Sequence, residues 1–206
     1  MLDLFISAFV TLFVVIDPPG CAPIFAGLTS GAAAAHARIM AVRACCVATL
    51  ILVLFALFGE QLLSALHIEL NSFRLAGGIM LFLIALEMVF ERRTQRREER
   101  AEKIRATPEV EDISVFPLAI PMIAGPGSIA TIMLLMSRAQ GTPQTLAILA
   151  ALLAVMLLCL LALLAARSLM RLIGAQAEAV ITRLLGVLLA ALAAQYVIDG
   201  VRAAIA

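Results

Sequence analysis

Six long apolar segments dominate this chain of 206 residues and constrain its fold more than any other feature. They comprise residues 4–28, 41–63, 74–90, 113–136, 146–169 and 184–205. A helix needs about 20 apolar residues to cross the hydrocarbon core of a bilayer. Charged residues make up only 14% of the chain, against about 25% in soluble domains, so a soluble protein would lack the polar residues to cover its surface. We therefore expect an all-α integral membrane protein with six transmembrane helices.

A charged stretch at 91–112 separates the third and fourth segments. It contains seven basic and seven acidic side chains, so it has no net charge and gives no indication of nucleic-acid binding. With six spans, twelve of the basic residues fall on the side of the membrane that holds this stretch and three fall on the other side. Because basic residues concentrate in cytoplasmic loops, this bias predicts that the stretch is a cytoplasmic linker and that both termini are periplasmic.

The two halves of the chain resemble each other. With a shift of 107 residues, the Pro-Gly pair at 19–20 coincides with the pair at 126–127, and with a shift of 109 the Arg-Leu-x-Gly motif that begins at Arg74 coincides with the one that begins at Arg183. Each half contains an odd number of spans, so the second half must cross the membrane in the opposite orientation. Two inverted three-helix repeats are therefore predicted, an architecture of many secondary transporters. The predicted units are repeat 1–90, linker 91–112 and repeat 113–206.

Proline and glycine interrupt the first and the fourth span. The first contains the run DPPG at 17–20, and the fourth contains the run GPGS at 125–128. Proline removes a backbone N–H, clashes with the preceding turn and pushes the residue before it out of helical geometry. We therefore expect helices 1 and 4 to be broken near the midplane, with Asp17 and Gly125 as the N-caps of the half-helices that follow.

Each break should expose backbone N–H groups, which cannot face lipid and must face protein or a wet cavity. We expect free amides at Gly20 and Cys21 in the first half, and at Gly127 and Ser128 in the second. An inverted repeat would bring these two positive helix ends together, where they suit a carboxylate. Asp17, an ionisable residue within a span, would then pair with the ammonium group of a zwitterion.

Two other roles for Asp17 stay open, a helix cap alone and a proton carrier. Glu87 lies five residues before Arg92, and we expect it at the membrane interface. The predicted substrate-binding residues are Asp17, Pro18, Pro19, Gly20 and Cys21 at the first break and Gly125, Pro126, Gly127 and Ser128 at the second.

The leading functional hypothesis is a secondary transporter, and the alternative is a channel or a non-transporting membrane scaffold of the same fold. The sequence contains no Walker A motif, so we expect no direct use of ATP. An intramembrane enzyme would need paired carboxylates, a Ser–His pair or a metal cluster. The two histidines, His36 and His67, lie near loops without the spacing of a zinc motif, so we expect no catalysis, no metal and no cofactor.

Taken together, these motifs resemble those of the MarC family over essentially the whole chain. The similarity rests on DPPG at 17–20, FRLAGGI at 73–79, the charged linker, PLAIPMIAGPGSIAT at 117–131 and RLLG at 183–186. The resemblance implies a six-span protein of the bacterial inner membrane. From the characterised transporters of the family it implies glycine, alanine and similar small neutral amino acids as substrates. The preferred amino acid, the coupling ion and the oligomeric state are left open.

The charge bias gives a first prediction, on topology. Reporter fusions near Ser30 and after Ala206 should report opposite sides of the membrane, with the C-terminus periplasmic. The reason is that the loop near Ser30 lies on the side that holds twelve basic residues, whereas the C-terminus lies on the side that holds three. Paired alkaline phosphatase and fluorescent-protein fusions would measure this. A cytoplasmic C-terminus would show that the span count or the orientation is wrong.

Overall fold

A computed structural model describes residues 1–92, 95–96, 99 and 112–205, and for 169–178 it describes the backbone only. The predicted linker at 91–112 therefore lies largely outside the described residues. The described residues form helices and turns without a strand. The helices are α1 (Leu2–Ile16), α2 (Pro18–Leu28), α3 (Ala34–Ala65), α4 (Leu70–Val89), the irregular helical segment α5 (Ser114–Ile123), α6 (Pro126–Met136), α7 (Thr142–Leu164) and α8 (Ala166–Ile205).

Five described helical stretches are long and apolar enough to cross a membrane, with α1 and α2 taken together as Leu2–Leu28. The number rises to six if α5 and α6, which meet at an angle of 53°, are one span. The prediction of an all-helical membrane protein is confirmed, and the predicted six spans agree with the upper count.

The prediction for the last two spans differs from the structure at their boundary. The fifth segment was expected to run to Leu169 and the sixth to begin at Leu184, but α7 ends at Leu164 and α8 begins only two residues later at Ala166. The intervening sequence is rich in Ala and also contains Arg and Leu, which favour helix, and neither proline nor a Gly pair interrupts it. Hydropathy identifies only the apolar part of α8, whereas helix propensity accounts for the helical residues that precede Leu184.

Helices α4 and α8 form an antiparallel pair in which glycines permit close approach. A Cβ built on Gly78 would lie 2.9 Å from the backbone N of Val197, and one on Gly200 would lie 2.9 Å from the backbone N of Leu75. The beginning of α4 therefore lies against the end of α8. Small residues at such contacts let two backbones meet within lipid, where helix association relies on van der Waals packing.

The buried residues form two clusters. The larger involves α1, α2, α3, α5, α6 and α7, and the smaller joins α4 and α8 to the ends of α1 and α6. Large apolar side chains outside these clusters are widely exposed, for example Leu83 at 57% and Leu188 at 58%. An outer surface of this kind is expected where lipid chains take the place of water.

Two adjacent glycines of α4 offer a matched test of the close packing. Gly78→Ala should lower stability by about 1–3 kcal/mol, because its Cβ would press against the backbone of α8. Gly77→Ala should cost less, because its Cβ would meet only the flexible end of the Leu134 side chain, at 2.8 Å. Thermal unfolding of the two variants in detergent measures the difference. Equal losses would contradict the close approach of the two backbones.

Candidate functional site

The first interruption is a single residue, Asp17, between α1 and α2. Its backbone is left-handed, with φ 59° and ψ 63°, a region that Asp tolerates better than most residues. Its carboxylate Oδ1 accepts a hydrogen bond from the N–H of Gly20 at 3.1 Å, and Pro18 is the first residue of α2. Asp17 is 1% exposed. The local sequence thus ends one helix and caps the next with the same side chain.

Gly20 is required where it stands because of this carboxylate. A Cβ at Gly20 would lie 2.2 Å from Asp17 Oδ2, so any side chain would displace the cap. The N–H of Cys21 donates to the backbone carbonyl of Asp17 at 3.0 Å. The expectation that the amides of Gly20 and Cys21 are free donors is therefore wrong, because Asp17 accepts from both.

The second interruption is longer and begins within α5. Phe116 and Ile120 have extended backbones, with φ/ψ of −128°/125° and −124°/126°, and each precedes a proline. This is the conformation that proline imposes on the residue before it. The N–H of Leu118 and of Ala124 donate five residues back, to Ile113 at 3.3 Å and Ala119 at 2.9 Å, as in wide helical turns.

Helix α6 starts directly after this segment. Gly125 is its N-cap in an extended conformation, and a Cβ there would lie 2.3 Å from the carbonyl oxygen of Pro121. Pro126 is the first helical residue, and the first hydrogen bond of the helix runs from Ile129 N–H to Gly125 at 3.0 Å. The close backbone approach explains why glycine precedes the proline.

The two helix starts differ in how their amides are satisfied. No side chain caps α6, and the N–H groups of Gly127 and Ser128 have no acceptor among the residues that the structure describes. Asp17 provides that acceptor at α2. The positive end of α6 is consequently the better anion site of the two.

A cavity of about 170 Å³ lies at the start of α6. The four residues from Gly125 to Ser128 line it, together with Glu87 and Ile84 of α4 and Arg96. Glu87 forms an ion pair with Arg96, and its side chain is 28% exposed. Unpaired amides, a carboxylate and a guanidinium thus share one small space.

The predicted site residues fall into two groups. Those of the second interruption (Gly125, Pro126, Gly127 and Ser128) line the cavity. Those of the first (Asp17, Pro18, Pro19, Gly20 and Cys21) are not among its lining residues. The interruptions are nevertheless neighbours, because Val15 Cγ1 would lie 3.6 Å from a Cβ on Gly127. Their joint role in binding a substrate stays a prediction.

Glu87 lines this cavity, although it was not among the site residues predicted from the sequence. Its distance from Arg92 along the chain suggested the membrane interface. The available signal was that an acidic residue lies inside an apolar segment, at 74–90, which by itself indicates function. The partner element, α6, could not be identified from the sequence of α4 alone.

The chain is similar to a recognised protein family along nearly its whole length. The family model described as "MarC family integral membrane protein" matches residues 2–205. A UPF0056 membrane protein of Methanocaldococcus jannaschii is 36% identical over 204 residues, which cover 99% of this chain and 98% of the relative. The UPF0056 inner membrane protein YhgN of Escherichia coli is 33% identical, with 96% and 95% covered. No solved structure matches.

The cap geometry predicts distinct effects of three substitutions. Asp17→Ala and Gly20→Ala should each lower stability by about 1–2 kcal/mol, because the first removes the cap and the second displaces it. Asp17→Asn should stay near the parent, since Asn caps helices and adopts left-handed backbone almost as well as Asp. Gly27→Ala in the same helix is the control, because nothing lies within 4 Å of its Cβ. Thermal unfolding in detergent measures all four, and an Asn variant as unstable as the Ala variant would contradict a role as cap alone.

Proposed function

Because this chain belongs to the MarC family of integral membrane proteins, we propose that it is a secondary transporter of small neutral amino acids, such as glycine and alanine, in a bacterial inner membrane. The printed names of the relatives give a membrane location and no substrate, so the proposal rests on the site. The observation that carries it is the cavity at the start of α6, where unpaired amides and a carboxylate face one space.

A carboxylate and the positive end of a helix that line the same cavity suit a zwitterion. The N–H groups of Gly127 and Ser128 would bind the carboxylate of the amino acid, helped by the positive end of α6. The carboxylate of Glu87 would bind its ammonium group. Asp17, which the sequence suggested for this role, is engaged with the Gly20 N–H, and Glu87 is the better candidate on this geometry.

The size and walls of the cavity favour a small, neutral side chain. A volume of about 170 Å³ is well below the roughly 300–1,000 Å³ typical of pockets for larger organic ligands. Ile84, Met122 and the two prolines of α5 contribute apolar surface. Once Glu87 binds the ammonium group, no second carboxylate among the described lining residues is left to pair with a basic side chain on the ligand.

The Glu87–Arg96 ion pair supports a simple exchange during transport. In this structure the guanidinium of Arg96 forms an ion pair with the carboxylate of Glu87. An incoming ammonium group would take its place and release Arg96. Arg96 belongs to the charged stretch between the two halves, so binding of a ligand in the cavity would free a basic residue of that stretch from its ion pair.

The proposal includes two inverted repeats whose broken helices meet near the midplane, with both termini periplasmic. Antiparallel packing of α4 with α8 supports this arrangement, because these helices are the third spans of the two halves and an inverted repeat requires them to run in opposite directions. Rocking of one half against the other would then expose the site to each side in turn. The proposal includes coupling of amino acid transport to proton movement, which the comparison of uptake with and without a proton gradient tests separately.

Glu87→Gln is the deciding variant. The change preserves size and removes the charge, so it should raise the concentration of alanine needed for half-maximal uptake by about tenfold, equivalent to ~1.4 kcal/mol. The measurement is uptake of labelled alanine and glycine by purified protein in liposomes, with and without a proton gradient, and with counterflow to distinguish a carrier from a channel.

Glu91→Gln is the matched control, because Glu91 lies four residues further along and pairs with Arg183 outside this cavity. It should leave uptake unchanged, and so should Asp17→Asn if the cap is its role. Loss of uptake in Asp17→Asn together with normal uptake in Glu87→Gln would return the ammonium site to Asp17. Absence of saturable uptake or counterflow in the parent protein would favour the channel or scaffold alternative.

A further inference from the structure

We propose that a second cavity, at the end of the bundle where α2 meets α3 and α7 meets α8, binds the phosphate group of an anionic lipid. This cavity has a volume of about 200 Å³ and is separate from the one at the start of α6. Its polar lining residues are Arg38, Arg167, Thr29 and Ser168. No acidic side chain lines it in the described part of the chain.

Arg167 is held in position by the end of α2. One of its terminal nitrogens donates to the carbonyl oxygen of Thr29 at 2.7 Å and to that of Ala32 at 3.1 Å. These acceptors orient the guanidinium and carry no net charge, so they do not neutralise its positive charge. A guanidinium fixed in this way loses little further conformational entropy when it binds an oxyanion.

Arg38 adds a second positive charge that no described carboxylate pairs with. Four other arginines each form an ion pair with a carboxylate, namely Arg43 with Asp112, Arg96 with Glu87, Arg138 with Asp199 and Arg183 with Glu91. Arg38 and Arg167 have no such pair with any carboxylate of the described residues. Two uncompensated guanidinium groups in one cavity favour an anion, and arginine matches the oxygens of phosphate particularly well.

The surroundings point to a lipid as the source of the phosphate. Leu164, the last residue of the apolar helix α7, lines the cavity and is 44% exposed, and Ile39 beside Arg38 is 63% exposed. An acyl chain can therefore lie along apolar side chains directly below a bound headgroup. Basic pockets between transmembrane helices at the membrane boundary bind lipid headgroups in this manner.

Binding to purified protein in detergent tests the proposal, with phosphatidylglycerol and phosphatidylcholine of identical acyl chains as the probes. Native mass spectrometry should retain phosphatidylglycerol on the parent protein in preference to phosphatidylcholine. Arg38→Gln should weaken phosphatidylglycerol binding about fivefold, the effect of one basic residue near an anionic lipid. Arg38→Lys should keep most of the binding, because the charge remains.

Arg43→Gln is the matched control on the same helix, because Arg43 already pairs with Asp112 and does not line the cavity. It should bind phosphatidylglycerol like the parent. Equal binding by the Arg38→Gln and Arg43→Gln variants would overturn the site. Inorganic phosphate is the third arm: if phosphate alone raises the thermal stability of the parent as much as phosphatidylglycerol does, and Arg38→Gln abolishes both effects, the cavity binds a free anion and the assignment to lipid is wrong.

Discussion

Backbone N–H groups within a bilayer must find an acceptor or face an enclosed polar space, and this requirement governs both helix interruptions. At the start of α2 the acceptor is a buried side chain, the carboxylate of Asp17. At the start of α6 no side chain serves, and the N–H groups of Gly127 and Ser128 adjoin a cavity instead. Two motifs that look alike in sequence therefore have different physical consequences, because one helix start is closed by its own cap and the other adjoins a cavity.

The position of that cavity depends on how closely α4 can approach its neighbours. Glycines at the contacts of α4 with α8 remove the side chains that would hold the helices apart, and Gly77 admits the side chain of Leu134 from α6. Ile84 then reaches the start of α6, since its Cδ1 would lie 2.3 Å from a Cβ on Gly127. One turn further along α4, Glu87 comes to the same cavity. The small residues of α4 and α8 thus help to set the position of Glu87 relative to the start of α6.

The sequence predicts the local chemistry of this fold better than its long-range contacts. The cap at Asp17 and the proline at the start of α2 follow from rules that involve four consecutive residues, and hydropathy identifies the apolar spans. Occupancy of the Gly20 amide was missed because the same carboxylate can serve as cap or as ligand, and only geometry distinguishes the two. The cavity that Glu87 shares with the start of α6 was not predicted, because the two are about 40 residues apart in sequence and hydrophobic patterning contains no information on such pairings.

The length of α8 has a mechanical consequence. Its 40 residues make a rod of roughly 60 Å at 1.5 Å per residue, about twice the ~30 Å thickness of the hydrocarbon core. Its described stretch Ala179–Ile205 is long and apolar enough to span the membrane, and a helix of this length extends beyond the hydrocarbon. Arg167 lies at the N-terminal end of α8, while Arg183 pairs with Glu91 close to the end of α4. One continuous helix therefore carries both Arg167 and the glycines that pack against α4, so a displacement at one of its ends would change contacts at the other.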